Sequence, residues 1–284
     1  MKTLLRFVKI EHTLFSLPLI FSGIFLAEHS WETFSIKFTV LVLLAAISAR
    51  LVAMSLNRII DREIDKRNPR TASRELPAGK MKLISAWMLI AVCATVYFTA
   101  AHFISGFCLL LSPIPLAVFI VYPYMKRFTP FAHFGVGIGL SMAPLGGWFA
   151  AKTYAGNFTY SSYYDLLPGI LLTVFTILWG TGFDIIYSTL DEKFDRTENL
   201  YSFPSRFGKE KALQYSALLH FLSFGVLTAL YFVSIKSIIA FPALLLSGFL
   251  LYLEQKKSDD VELAFFKINA VLGFVVFLMV LLKN

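Results

Sequence analysis

Nine apolar stretches, each bounded by charge or by Gly and Pro, succeed one another along this chain and identify its solvent. They lie near residues 12–28, 35–57, 83–101, 105–124, 132–151, 166–187, 212–233, 236–253 and 262–282. An α-helix needs about 20 residues to cross ~30 Å of hydrocarbon, and each stretch comes near that length. Charged residues make up 15% of the chain, against about 25% in a soluble domain. The expectation is an all-α membrane protein, a single domain over residues 1–284 folded as a bundle of nine transmembrane helices in the lipid bilayer. The first stretch, from His12 to Ala27, has no convincing A-x-A exit and reads as a span rather than a cleavable signal peptide. Ser105–Gly106 must turn the chain very tightly between the third and fourth spans. Pro113, Pro115 and Pro123 fall in the fourth span, and Pro144 with Gly146–Gly147 in the fifth. Such breaks are tolerated where neighbours or a cavity satisfy the freed backbone groups. Cys93 and Cys108 lie inside apolar runs and read as small hydrophobes.

The net charge of +8 would suggest nucleic acid in a soluble protein, but its distribution argues for a membrane instead. With the N-terminus placed in the cytoplasm, the inside segments collect Lys2, Arg6 and Lys9, the loop from Arg58 to Lys82, Lys126 and Arg127, the loop from Lys193 to Lys211, and Lys256 with Lys257. Together these hold 20 of the 26 basic residues, whereas the outside segments hold chiefly Lys37, Lys152 and Lys236. This positive-inside asymmetry puts the N-terminus and the charged loops in the cytoplasm and the C-terminus on the opposite side. No nucleic-acid partner is needed to explain the charge.

Two of the inside loops are entered through clusters of acids. Asn57, Asp61 and Asp65 follow one another at i, i+4 and i+8 at the end of the second span, so on a helix they share one face. Asp184, Tyr187, Asp191 and Asp195 share a face at the end of the sixth. The clusters are in register: 130 residues separate Asp61 from Asp191, and again Asp65 from Asp195. Arg70-Thr71, Pro77 and Gly79-Lys80 follow the first, and Arg196-Thr197, Pro204 and Gly208-Lys209 follow the second. This reads as a duplicated four-helix unit, with pseudo-repeats of about 1–127 and 128–257, plus a ninth helix. Acids at membrane depth are costly and point to function. Carboxylates alone repel phosphate, so paired carboxylates beside Lys and Arg imply divalent cations, and Mg²⁺ prefers such oxygen ligands. Ions held there could clamp a phosphorylated leaving group and stabilise its charge.

These residues resemble the motifs of the UbiA superfamily of intramembrane aromatic prenyltransferases, N-D-x-x-D-x-x-x-D after the second helix and D-x-x-Y-x-x-x-D-x-x-x-D after the sixth. The second is complete here, and the first has Arg58 in place of its frequent Asp. The resemblance implies a nine-helix bundle in which Asn57, Asp61, Asp65, Asp191 and Asp195 bind Mg²⁺ and prenyl diphosphate. Arg62, Tyr187 and Lys126, the last in the segment Tyr122-Pro123-Tyr124-Met125-Lys126-Arg127, would contact the diphosphate or substrate, as would Tyr124. The opening from Arg6 to Pro18, with Lys9 and His12, and the loop from Asn68 to Lys80 are similar to 4-hydroxybenzoate polyprenyltransferases and to related enzymes acting on a naphthoate. The implied reaction is Mg²⁺-dependent transfer of a polyprenyl chain to a hydroxylated aromatic acid, as in ubiquinone or menaquinone biosynthesis. Asp61, Asp65, Asp184, Asp191 and Asp195 are the candidate catalytic residues, with Asp184 or Asp191 as candidate proton acceptors.

Arg50 lies seven residues before Asn57, on the same helical face, and reads as a cation for the acceptor carboxylate or the diphosphate. Lys9 serves either as a substrate cation or as a membrane anchor. His102, His133 and His220 show no metal-ligand spacing and read as structural or interfacial, and Lys256–Asp260 as a solvated loop. Haem and glycerol-phosphate lipids are the alternative acceptors within the same fold. An ion-coupled transporter fits less well, because both acidic clusters lie at one membrane face and the repeat is parallel rather than inverted.

Overall fold

A computed structural model describes residue 7 and residues 13–27, 35–154, 163–261 and 263–283. Among them the chain is helical throughout, without a strand. The principal helices are α1 (Thr13–Ala27), α2 (Ile36–Ile60), α3 (Arg62–Arg67), α4 (Leu83–Ile104), α5 (Gly106–Leu111), α6 (Pro113–Met125) and α7 (Ala132–Tyr154). They continue as α8 (Leu167–Ser188), α9 (Glu192–Thr197), α10 (Phe203–Phe207), α11 (Lys209–Leu230), α12 (Phe241–Lys256) and α13 (Asn269–Leu281). Seven helical segments are long and apolar enough to cross a membrane, and two shorter apolar helices, Ser16–Ala27 and Phe266–Leu281, accompany them. Helices are what lipid demands, since each satisfies its own backbone groups. Large apolar side chains such as Ile84, Leu110, Phe221 and Phe232 point outward from these helices, as suits a hydrocarbon solvent.

The helices form two compact units. In the first, residues 1–13 and 34–124, α2 packs along α4. Val52 and Leu56 of α2 meet Cys93 of α4 and Phe119 of α6, which gives Cys93 the hydrophobic role expected of it. The tight turn between α4 and α5 falls at Ser105, whose extended backbone (φ −169°, ψ 156°) lets its hydroxyl cap α5 by accepting the Cys108 N–H at 3.0 Å. The fourth apolar stretch is divided at Ser112, whose carbonyl accepts the Tyr97 hydroxyl at 3.2 Å.

The second unit comprises residues 14–33 and 125–284. Here α8 lies between α7 and α11, with Leu172, Phe175 and Trp179 fully buried. Close approach is achieved by glycine: a Cβ on Gly180 would stand 3.0 Å from the Gly137 Cα, and one on Gly137 would run into the Ile177 carbonyl and Thr181. Small residues of this kind are what helix association in lipid selects. Some buried hydroxyls are satisfied within their own helices, as Ser22 donates to the Pro18 carbonyl and Thr176 to Leu172, both at 2.8 Å. A longer polar chain ties four helices together. The Trp179 indole donates to Asn269 Oδ1 (2.8 Å), Asn269 Nδ2 donates to Glu254 Oε1 (2.9 Å), and Gln255 Nε2 donates to Ser216 Oγ (2.7 Å).

Several boundaries differ from the apolar pattern. A π-helical turn at Tyr231–Ile235 follows α11, and another at Leu263–Ile268 leads into α13. α2 breaks at its first acid, Asp61, whereas α8 runs on past Asp184 and breaks at Thr189–Asp191.

Candidate active site

The first acidic cluster is not one continuous helical face. α2 ends at Asp61, whose backbone (φ −91°, ψ 2°) lies between helical regions, and α3 starts at Arg62. The hydrogen-bond ladder bends without opening, because Asp61 N–H bonds the Asn57 carbonyl at 3.0 Å and Asp65 N–H bonds the Asp61 carbonyl at 2.8 Å. Asn57 Nδ2 donates to Asp61 Oδ2 at 3.4 Å, so these two predicted residues do meet. Asp61 and Asp65 are both buried, at 3% and 4% exposure. Burial of a carboxylate demands compensation, and the following loop supplies it for Asp65. One nitrogen of Arg74, Nη1, donates to both Asp65 oxygens (2.7 and 2.8 Å). The loop is set by Asn68, whose Oδ1 accepts the Arg70 N–H at 2.9 Å, and by Thr71, whose hydroxyl donates to the Asp65 carbonyl at 3.1 Å. Arg74 was not singled out by the sequence, where it is one of many loop cations.

Other residues of this unit fall as follows. Arg62 is engaged by its neighbour, donating to Glu63 Oε1 through Nε (2.9 Å) and Nη2 (2.7 Å). Arg50 is half-buried within α2, and Tyr124 is exposed near the end of α6. Lys9 and His12 lie outside the described residues.

The second cluster repeats the local architecture of the first. α8 runs out through a 3₁₀ turn, Thr189–Asp191, and α9 starts after Asp191, whose backbone (φ −105°, ψ 2°) matches that of Asp61. Asp195 then stands within a six-residue helix, as Asp65 does in α3. It too is held by the next loop: the Ser202 hydroxyl donates to Asp195 Oδ2 at 2.8 Å, while Ser202 and Ser205 form a reciprocal cap on α10. The same loop meets Lys126, whose carbonyl accepts the Tyr201 N–H at 2.7 Å, so Lys126 stands beside this cluster. Asp184 and Tyr187, in the last turn of α8, are half-buried.

The structure adds a partner to one of the histidines. His133, read from its spacing as structural or interfacial, contacts a motif acid directly, with Nδ1 2.7 Å from Asp184 Oδ2. Its other nitrogen, Nε2, accepts the Phe203 N–H at 3.2 Å. Nothing in a separation of 51 residues signals this pairing. The available clue was that both residues stand at helix ends on the same membrane face.

Among the described residues, no three His, Cys, Asp or Glu side chains gather into a single metal-binding group. That arrangement still fits Mg²⁺, which takes one or two carboxylates and completes its shell with water and substrate phosphate. Asp61 with Asn57, and Asp191 with Asp195, provide hard oxygen donors of that kind.

Apolar helices of spanning length, with buried carboxylates and basic side chains at their ends, define an integral membrane enzyme. Residues 16–279 match the UbiA prenyltransferase family. The chain belongs to that family, and the resemblance carried by the Asn57 and Asp184 motifs is borne out. A 4-hydroxybenzoate octaprenyltransferase of Coxiella burnetii is 26% identical over 258 residues, spanning 88% of this chain and 85% of the relative. A UbiA homolog from Aeropyrum pernix superposes with a TM-score of 0.86 at 32% identity, covering 96% of this chain and 98% of the other. A UbiA homolog from Archaeoglobus fulgidus bound to GPP and Mg²⁺ shares the fold, with a TM-score of 0.71 at 16% identity, over 98% of this chain and 99% of that one.

Proposed function

We propose that this prenyltransferase moves a polyprenyl chain from its diphosphate to a hydroxylated aromatic acid, 4-hydroxybenzoate-like or naphthoate-like, in quinone biosynthesis. The observation that carries the reading is the repeated acid-bearing helix break, Asn57–Asp61–Asp65 and Asp184–Asp191–Asp195, in a chain alignable over most of its length with a 4-hydroxybenzoate octaprenyltransferase. Asn57, Asp61 and Asp65 on one side of the sequence repeat, and Asp191 and Asp195 on the other, are the residues that would hold Mg²⁺. When bound, Mg²⁺ supplies charge neutralisation for the departing diphosphate.

The protein's own groups do the rest. Lys126, Arg62 and Lys9 bind diphosphate oxygens, and Arg50 holds the acceptor carboxylate or the diphosphate. Tyr124 and Tyr187 contact substrate. Apolar surroundings keep water from the allylic cation left when the C–O bond ionises. A ring carbon of the acceptor attacks that cation, and Asp184 or Asp191 takes the ring proton. Seven long apolar helices and two shorter ones support nine spans, and the distribution of basic residues supports cytoplasmic loops and N-terminus, with the C-terminus opposite. The like backbone at Asp61 and Asp191 supports a duplicated unit within one domain.

The test is incubation of membranes containing the protein with a prenyl diphosphate and a panel of aromatic acids, in Mg²⁺ or EDTA. Product from one hydroxylated acid, absent in EDTA and in Asp61→Ala and Asp191→Ala, is the expected result. Folded protein that prenylates none of the acids would refute the acceptor assignment.

A further inference from the structure

We propose that His133 is a positioning residue for prenyl transfer, holding the Asp184 carboxylate in register with the backbone strap that also holds Asp195. The inference rests on the prenyl-transfer reading above. It begins with the two nitrogens of one ring. Phe203 N–H is a donor, so Nε2 must accept, and Nδ1 must then carry the proton that it gives to Asp184. The ring is 5% exposed and both of its polar atoms are committed within the protein. It therefore has nothing left for substrate, and its effect on the reaction must pass through what it holds.

What it holds is a set of catalytic candidates. Residues 200–203 are pinned one after another: Leu200 N–H to the Asp195 carbonyl (2.8 Å), Tyr201 N–H to the Lys126 carbonyl (2.7 Å), the Ser202 hydroxyl to Asp195 Oδ2 (2.8 Å), and Phe203 N–H to His133. Arg206 stacks over the Tyr201 ring at 3.7 Å and braces the same strap. His133 is where this strap meets Asp184. It engages only Oδ2 of that carboxylate, so Oδ1, on a side chain 20% exposed, is left to act on substrate. A catalytic group displaced by about 1 Å can lose about 100-fold in rate. A ring that fixes one acid directly, and a second through the strap, is placed to prevent such displacement.

The test separates the two nitrogens. His133→Asn keeps an N–H near the Nδ1 position and loses the acceptor for Phe203. His133→Gln keeps a polar end near Nε2 and loses the bond to Asp184. Turnover of the membrane-embedded protein is measured at saturating prenyl diphosphate and acceptor, together with KM and thermal stability. The expected result is about a 10- to 100-fold loss of kcat in His133→Gln and His133→Ala, with KM for prenyl diphosphate within about threefold, and a smaller loss in His133→Asn, which releases the strap but keeps the direct hold on Asp184. Equal rates in Asn and Gln variants, or losses that follow melting temperature or KM alone, would overturn the role while leaving prenyl transfer intact. Should His133→Ala not fold, the Asn–Gln comparison still decides. A wild-type protein that transfers no prenyl group refutes the functional reading itself, and the positioning role with it.

Discussion

The Arg74–Asp65 pair makes a prediction whose size follows from its geometry. Asp65 keeps only 6% of its side-chain surface and Arg74 23%, so truncating the arginine strands a carboxylate almost wholly out of water. Breaking a fully buried pair costs about 3–5 kcal/mol, and partial exposure of Arg74 lowers this to about 1–3 kcal/mol. At roughly 2–4 °C per kcal/mol, Arg74→Ala is expected to melt about 2–12 °C below wild type in EDTA. Arg74→Lys should lose much less, because a single nitrogen makes both contacts here and an ammonium can do the same. Mg²⁺ with a non-hydrolysable prenyl diphosphate analogue should shrink the Ala deficit, since a divalent ion at the first acidic cluster takes over the missing positive charge. The assay is a thermal melt of detergent-purified protein in the two conditions. A deficit of the same size with and without the ligands, or none in EDTA, would show that Arg74 does not compensate Asp65 at a site the ion shares.

Other outcomes follow from single contacts. Ser202→Ala removes both the hydroxyl on Asp195 and the α10 cap, so it should cost about 1–2 kcal/mol and lower turnover several-fold, read by melting and steady-state kinetics. Asn269→Leu strands the Trp179 indole and Glu254 Oε1 together, and chemical unfolding should show a loss of about 1–3 kcal/mol. Gly182→Ala drives a methyl into the His220 ring, at an expected cost of about 1–3 kcal/mol measurable in the same way.

The chain's lipid solvent, its helices and the positions of its acids were legible in the sequence because hydropathy and i, i+4 spacing are local signals. Asn57 and Asp61, four residues apart, do meet as that spacing predicts. The bend at Asp61 was not, since neither Gly nor Pro marks it and its i, i+4 hydrogen bonds persist through the turn. Long-range partners were equally hidden. Nothing local pairs His133 with Asp184, or joins Trp179, Asn269 and Glu254 from three separate helices. Arg74 was lost among neighbouring loop cations, all of which the positive-inside rule explains equally well. Arg62, named from its place in the motif, also meets its neighbour Glu63 through Nε and Nη2, a contact the motif does not foretell.

The bends at Asp61 and Asp191 have a mechanical meaning. A rod of fixed length must tilt when the surrounding bilayer thins or thickens, and a carboxylate rigidly fused to its end would swing with it. Here each acid-bearing helix is a separate six-residue piece, jointed at its motif aspartate and moored to the loop beyond by Arg74 or by Ser202. We expect the spans to take up changes of tilt at these bends while their tips stay anchored. Turnover should accordingly change little between vesicles of short and long acyl chains, whereas cutting either mooring should make the rate depend on lipid length.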